Sequence, residues 1–106
     1  LHKNAVTNTM PPSIQKTILI LETQFDTKIT IRSLSKQVGI NECDLKRLFK
    51  EHTGKTIGCF LLNIRMHHAQ ILLKEGVSVE NVANQIGYSS SQYFKQIFER
   101  FFGYSF

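Results

Sequence analysis

The sequence predicts an all-α fold in which two similar helical units are joined by one long helix. Three observations point there. Apolar residues recur at spacings of three and four, the mark of one face of a helix. Strict two-residue alternation, the mark of a half-buried strand, is never sustained. A pattern of caps, apolar positions and glycines over residues 30–54 returns over residues 78–103 at nearly fixed spacing.

Taken in order, residues 1–10 are polar and aperiodic and read as a linker or disordered end. Pro12 suits the first turn of a helix. Ile14, Ile18, Leu21 and Phe25 then follow at spacings of four, three and four, giving that helix one apolar face. Thr30 is placed to cap a second helix running from Ile31 to Val38 and stopped by Gly39. Asn41 is placed to cap a third, from Glu42 to about His52, stopped by Gly54. With Ile31 as position one, Leu34, Ser35, Val38, Gly39, Ile40, Leu45 and Leu48 fill the positions that a helix-turn-helix needs. The fifth must be small because the second helix crosses over it, and the ninth favours Gly because it is often left-handed. The apolar positions fill the wedge between two steeply crossed helices.

A long helix from about Thr56 to Lys74 follows, ended by Gly76. Its early apolar set is Ile57, Phe60, Leu61 and Ile64; its late set is Ala69, Ile71, Leu72 and Leu73. That broadening suits a helix packed on one small bundle at its start and another at its end. Ser78 then caps a helix in which Val82, Ala83, Ile86, Gly87 and Tyr88 repeat the earlier pattern. Ser89 is expected to cap the last helix, with Gln92 placed for a capping box. Gly39 to Gly87 spans 48 residues, whereas Phe49 to Phe98 and Gly54 to Gly103 span 49 each, so the second unit carries one extra residue after its turn. The expected division is 1–10 linker, 11–55 first helix-turn-helix subdomain, 56–75 linker helix and 76–106 second subdomain. Each subdomain is a homeodomain-like three-helix unit.

Bulk properties narrow the function classes. A hydrophobic fraction of 42% with 20% charged residues supports a core and argues against disorder. No run of about 18 apolar residues is long enough to span a membrane. The net charge of +5 is uneven: residues 28–58 hold seven bases against three acids, while the flanking stretches are near neutral. A local basic excess favours a polyanion partner. Two cysteines, Cys43 and Cys59, without a visible secretory signal point to reduced thiols in a cytosol. His67 and His68 project about 100° apart on a helix, a poor arrangement for shared metal ligation, so they are expected at or near the surface. No cofactor is expected. The first residue, Leu1, suggests a piece of a longer protein.

Several motifs together resemble the AraC/XylS family of bacterial transcription regulators. The first is Gly39, Leu45, Leu48, Phe49 and Lys50, followed by Gly54. The second is Arg65-Met66, Ala69 and Leu72-Leu73. The third is Val82-Ala83, Gly87-Tyr88, Tyr93-Phe94, Phe98 and Gly103, with the one-residue offset. Two departures stand out: Ser105 occupies a position where the family usually has Pro, and the chain ends before the family's short terminal helix. The early end suggests trimming, and the departures together suggest a slightly destabilised second unit. The resemblance implies double-stranded DNA as partner, RNA polymerase contact by an activator, and a sensing or dimerisation domain elsewhere in the full-length protein. It also implies a cytoplasmic, nucleoid-associated location.

In such units the second helix enters the major groove and the first braces it. The expected DNA-binding residues of the first unit are therefore Glu42, Cys43, Lys46, Arg47 and Lys50. Arg47 suits a bidentate contact to guanine, Lys46 a base or a phosphate, and Cys43 a thymine methyl or mere tolerance. Glu42 either accepts from a cytosine amine or complements the helix dipole. In the second unit the matching residues are Ser90, Ser91, Gln92, Lys95 and Gln96, with Gln92 or Gln96 suited to adenine. By the resemblance Arg65 has a mainly structural role, bonding carbonyls or acids, with a phosphate contact as the alternative. The chief rival is a helix-turn-helix protein-interaction module using Phe101, Phe102 and Tyr104, although burial of these aromatics is expected. An enzyme is disfavoured, because no nucleophile–base pair, paired carboxylates, metal spacing or phosphate-cradling Gly loop is present.

Overall fold

The computed structural model describes residues 10–105, so the rest of the expected linker or disordered end at 1–10, and Phe106, lie outside the described residues. Six helices and no strands occur among them: α1 (Pro12–Thr23), α2 (Ile31–Val38), α3 (Glu42–Thr53), α4 (Ile57–Lys74), α5 (Val79–Gln85) and α6 (Ser91–Phe102). The all-α expectation holds. Each helix after α1 starts at a residue whose hydroxyl or amide oxygen accepts from a first-turn amide. Thr30, Asn41, Thr56 and Ser78 do so for Ser33, Asp44, Cys59 and Asn81. Such caps satisfy amides that the helix itself cannot bond. At the other end of α4, Gly76 N donates to Leu73 O and Val77 N to Leu72 O, both at 3.1 Å. This paired closure is the Schellman arrangement.

Two apolar cores lie on either side of α4. The first gathers Ile14, Ile20, Leu21, Leu34, Leu45, Phe49 and Ile57. The second gathers Met66, Ala69, Val82, Ala83, Ile86, Phe94 and Phe98. Helix α4 serves both: Phe60, Leu61 and Ile64 flank the first, and Leu72 and Leu73 the second. Burying each large aliphatic or aromatic side chain contributes roughly 1.5–3 kcal/mol, so α4 adds stability to both units at once.

Three details correct the sequence reading. Ile71 is 55% exposed and not part of the late apolar set. Helix α1 ends at Thr23, so Phe25 lies in the following turn, outside the face predicted for it. Its ring packs on the second core and stacks on His68 at 4.1 Å between centroids. The third concerns the last helix. Its cap is Ser90, whose hydroxyl accepts from Tyr93 N, and Gln92 does not stand where a capping box needs it. The extra residue of the second unit is thus inserted before the cap: Asn41 follows Gly39 by two residues, Ser90 follows Gly87 by three.

Candidate nucleic-acid interface

Helix α3 buries Leu45 and Phe49 and half-buries Leu48, which turns the opposite face outward. Glu42, Cys43, Lys46, Arg47 and Lys50 all lie on that outward face and are exposed. Cys43, Lys46, Arg47 and Lys50 line one open hollow that reaches Glu51 and Thr56. Cys43 is a free thiol. Lys46 and Lys50 form no ion pair among the described residues, so their charges face solvent uncompensated.

Arg47 differs. Its guanidinium lies 3.2 Å from Asp44 Oδ1 and 3.4 Å from Glu51 Oε1, one turn away on either side. The hydrogen bond it donates to Asp44, then that to Glu51, holds its pKa above the ordinary value. All three side chains are about half exposed. Ion pairs this open are weak and salt-screened, so a base edge or phosphate can replace the carboxylates. Asp44 has a second duty, accepting from Asn41 Nδ2 at 2.9 Å beside the cap.

Helix α6 repeats the arrangement with different chemistry. Phe94 and Phe98 are buried, and Gln92, Lys95 and Gln96 are exposed on the other side. Ser91 is half-buried, and the Ser90 hydroxyl is engaged at 3.1 Å by Tyr93 N. With the caps aligned, Glu42, Cys43, Lys46, Arg47 and Lys50 correspond to Ser91, Gln92, Lys95, Gln96 and Glu99. Sequence reasoning missed Glu99, an exposed acid where the first unit has Lys50. It also missed Tyr93, 53% exposed beside Gln92. The corrected cap would have revealed Glu99; Tyr93 stands in the third motif, which gives no sign of its exposure.

The two faces are joined by a clamp centred on Arg65. Its Nε donates to Phe25 O at 2.7 Å and its Nη2 to Thr27 O at 2.9 Å. The same guanidinium lies 5.1 Å from the centre of the Tyr88 ring. One side chain of the linker helix thus touches the first unit's α1–α2 turn and the second unit's α5–α6 turn. Those turns also meet directly. At Gly87, where φ is +98°, a Cβ would stand 3.0 Å from both C and O of Asp26. The structural role expected for Arg65 is the one seen. Of the three aromatics weighed as a docking patch, Phe101 and Phe102 are half-buried against the second core, while Tyr104 is 51% exposed. His67 and His68 are both exposed, as expected. No helix among the described residues is long and apolar enough to cross a membrane.

Known proteins share this arrangement. A family model described as a helix-turn-helix domain matches residues 34–106. The transcriptional activator Btr of Bacillus subtilis is 35% identical over 86 residues, covering 80% of this chain and 16% of Btr. The chain spans only 16% to 32% of the length of Btr and two further curated relatives. Among solved structures, the C-terminal domain of AraT, a response regulator from Geobacillus stearothermophilus, superposes with a TM-score of 0.87 at 23% identity. It covers 92% of this chain and 82% of its own. The DNA-binding domain of AdpA, solved in complex with a target DNA, gives 0.82 at 22% identity, covering 90% and 86%. At such identities the superpositions speak for the fold, and the family model carries the assignment. With two capped, glycine-turned helix pairs on one shared helix, the chain belongs to the AraC-type helix-turn-helix family of bacterial transcription regulators.

Proposed function

We propose that this chain reads an asymmetric double-stranded DNA site, with α3 and α6 entering consecutive major-groove segments. The observation that carries this reading is the pair of outward polar faces, each backed by a buried apolar face and held in one frame by α4 and Arg65. A longest dimension of 40 Å accommodates two recognition helices about 34 Å apart, one turn of the duplex. The DNA-contacting residues are Glu42, Cys43, Lys46, Arg47 and Lys50 in the first unit, and Ser90, Ser91, Gln92, Lys95 and Gln96 in the second. Because the two sets differ, a single chain selects a site without twofold symmetry. Any mismatch with straight B-form geometry is taken up by DNA bending, at a cost of order 1–6 kcal/mol.

The functional division is 11–55 and 76–106 as readers and 56–75 as their rigid connector. In the whole protein, a sensing or dimerisation domain and contact with RNA polymerase complete an activator that works on the nucleoid in the cytoplasm, without catalysis of its own.

Selection of binders from a random duplex library at about 0.1 M salt tests the reading. Two unlike half-motifs about 10 base pairs apart are expected. Arg47→Ala should erase one of them and leave the other. Weak binding without an enriched motif, or a protein partner retained by Lys46→Ala and Arg47→Ala together, would overturn it.

A further inference from the structure

A cleft opens between α4 and the second unit, walled by Gly58, Ile97 and two leucines of α4, with three polar groups: Arg65, Tyr88 and Tyr93. Those three are arranged as a set. The Arg65 guanidinium lies over Tyr88, and the Tyr88 and Tyr93 rings meet edge to face at 5.8 Å. Arg65 spends two nitrogens on neutral carbonyls, Phe25 O and Thr27 O, and no carboxylate pairs with it among the described residues. Its third nitrogen, Nη1, makes no hydrogen bond among the described residues, nor do the hydroxyls of Tyr88 and Tyr93. The cleft thus gathers three free donors and one uncompensated positive charge.

We propose that this cleft seats one phosphodiester of the DNA backbone, where a strand crosses between the two major-groove segments. The inference rests on the DNA-reading function proposed above. Its chemistry is that of an anion site: a half-buried guanidinium against apolar walls is screened less than one in open solvent, and its charge is unspent. The donors are already fixed by backbone bonds and ring contacts, so little ordering is needed on binding. Its place is that of a strand crossing. Tyr93 follows Gln92 directly and lies one turn before Gln96, so the cleft runs along the edge of the second reading face. Gly58 is two residues from Thr56, which lines the hollow of the first. The seat therefore lies between the two base-reading surfaces and fixes DNA register there without reading sequence.

The test uses the duplex selected above, with single phosphates replaced in turn by neutral methylphosphonates, against wild type and a Tyr88→Phe/Tyr93→Phe double variant. Both rings remain in the Phe variants, so the packing of both cores is kept. One central substitution should weaken wild-type binding by about tenfold, the size of a lost charge-assisted hydrogen bond. The double variant should bind the unmodified duplex several-fold more weakly and respond to that substitution by less than about threefold. If central substitutions do nothing while flanking ones weaken binding, the seat is wrong and the DNA reading stands. Equal central losses in both proteins place the phosphate on other groups and also overturn the seat. If wild type binds no duplex, the reading itself fails and takes the seat with it.

Discussion

Replacing Gly87 with Ala tests whether the two units are locked together, and Gly39→Ala is its internal control. Both glycines occupy the ninth position of their helix-turn-helix, with φ of +98° and +78°. A methyl group there costs about 1–2 kcal/mol for the left-handed backbone alone, offset by up to about 1 kcal/mol of reduced unfolded-chain entropy. At Gly39 nothing lies within 4 Å of the added carbon, so the net cost is that strain, about 1 kcal/mol. At Gly87 the carbon meets Asp26 C and O at 3.0 Å and Arg65 Nη2 at 3.2 Å. The obstruction is backbone, itself tied down by the Arg65 bonds to Phe25 O and Thr27 O, so overpacking adds about 1–3 kcal/mol. Thermal unfolding followed by far-ultraviolet circular dichroism should show Gly39→Ala about 4–8 °C below wild type and Gly87→Ala at least twice as far below. In an Arg65→Ala background the Asp26 turn is free to retreat, so Gly87→Ala should cost less than in wild type. Equal losses for the two glycine variants, or strict additivity with Arg65→Ala, would refute the reasoning.

Other outcomes follow from the first reading face. Lys46→Ala should lower the slope of log affinity against log salt by about one if the ammonium sits on a phosphate, measured by titration at several salt concentrations. An unchanged slope with altered sequence preference would assign it to a base instead. Asp44→Asn removes a carboxylate from the reading face and frees one side of Arg47, so duplex affinity at low salt should rise several-fold. A fall in affinity would mean that the Asp44–Arg47 pair presents the guanidinium to DNA. Asn41→Ala deletes the cap that accepts from Asp44 N at 2.8 Å and should cost about 1 kcal/mol, read as a drop in Tm of roughly 4–8 °C.

What was legible in the sequence is what short-range physics decides. Thr30, Asn41 and Ser78 sit three residues before the amides they accept from, so their signals are local and unambiguous. Ser89, Ser90 and Ser91 are three cap-competent residues in a row, and only the backbone chooses Ser90. Phe25 fitted the α1 stripe by spacing, yet the helix ends two residues earlier and the ring crosses to His68, 43 positions on. The acceptors of Arg65 are backbone carbonyls 40 and 38 residues away, which no side-chain pattern announces. Ile71 extended an apolar run, but α4 has already turned it toward solvent where neither core reaches. The outward faces of α3 and α6 were legible, because burial of Leu45, Phe49, Phe94 and Phe98 dictates which residues point away from the cores.

The two units repeat one backbone plan and diverge in chemistry, which has a consequence for how the proposed site is held. The first face presents Lys46, Arg47 and Lys50; its counterpart presents Lys95, Gln96 and Glu99. Phosphate attraction and its salt dependence therefore concentrate on α3, while α6 offers amides suited to selecting bases with little affinity of their own. A weak reader is useful only if it arrives in place when the strong one binds. Had the two been joined by a flexible tether, the ordering cost would fall on α6, the unit least able to meet it. Instead Phe25 packs against the second core, Arg65 bonds the α1–α2 turn and lies over Tyr88 of the α5–α6 turn, and Gly87 admits Asp26 at a distance no side chain would permit. That ordering is completed during folding and maintained by packing. On the proposed function, the clamp lets the α6 amides contribute specificity, and loosening it should erode the α6 half-motif well before the α3 half.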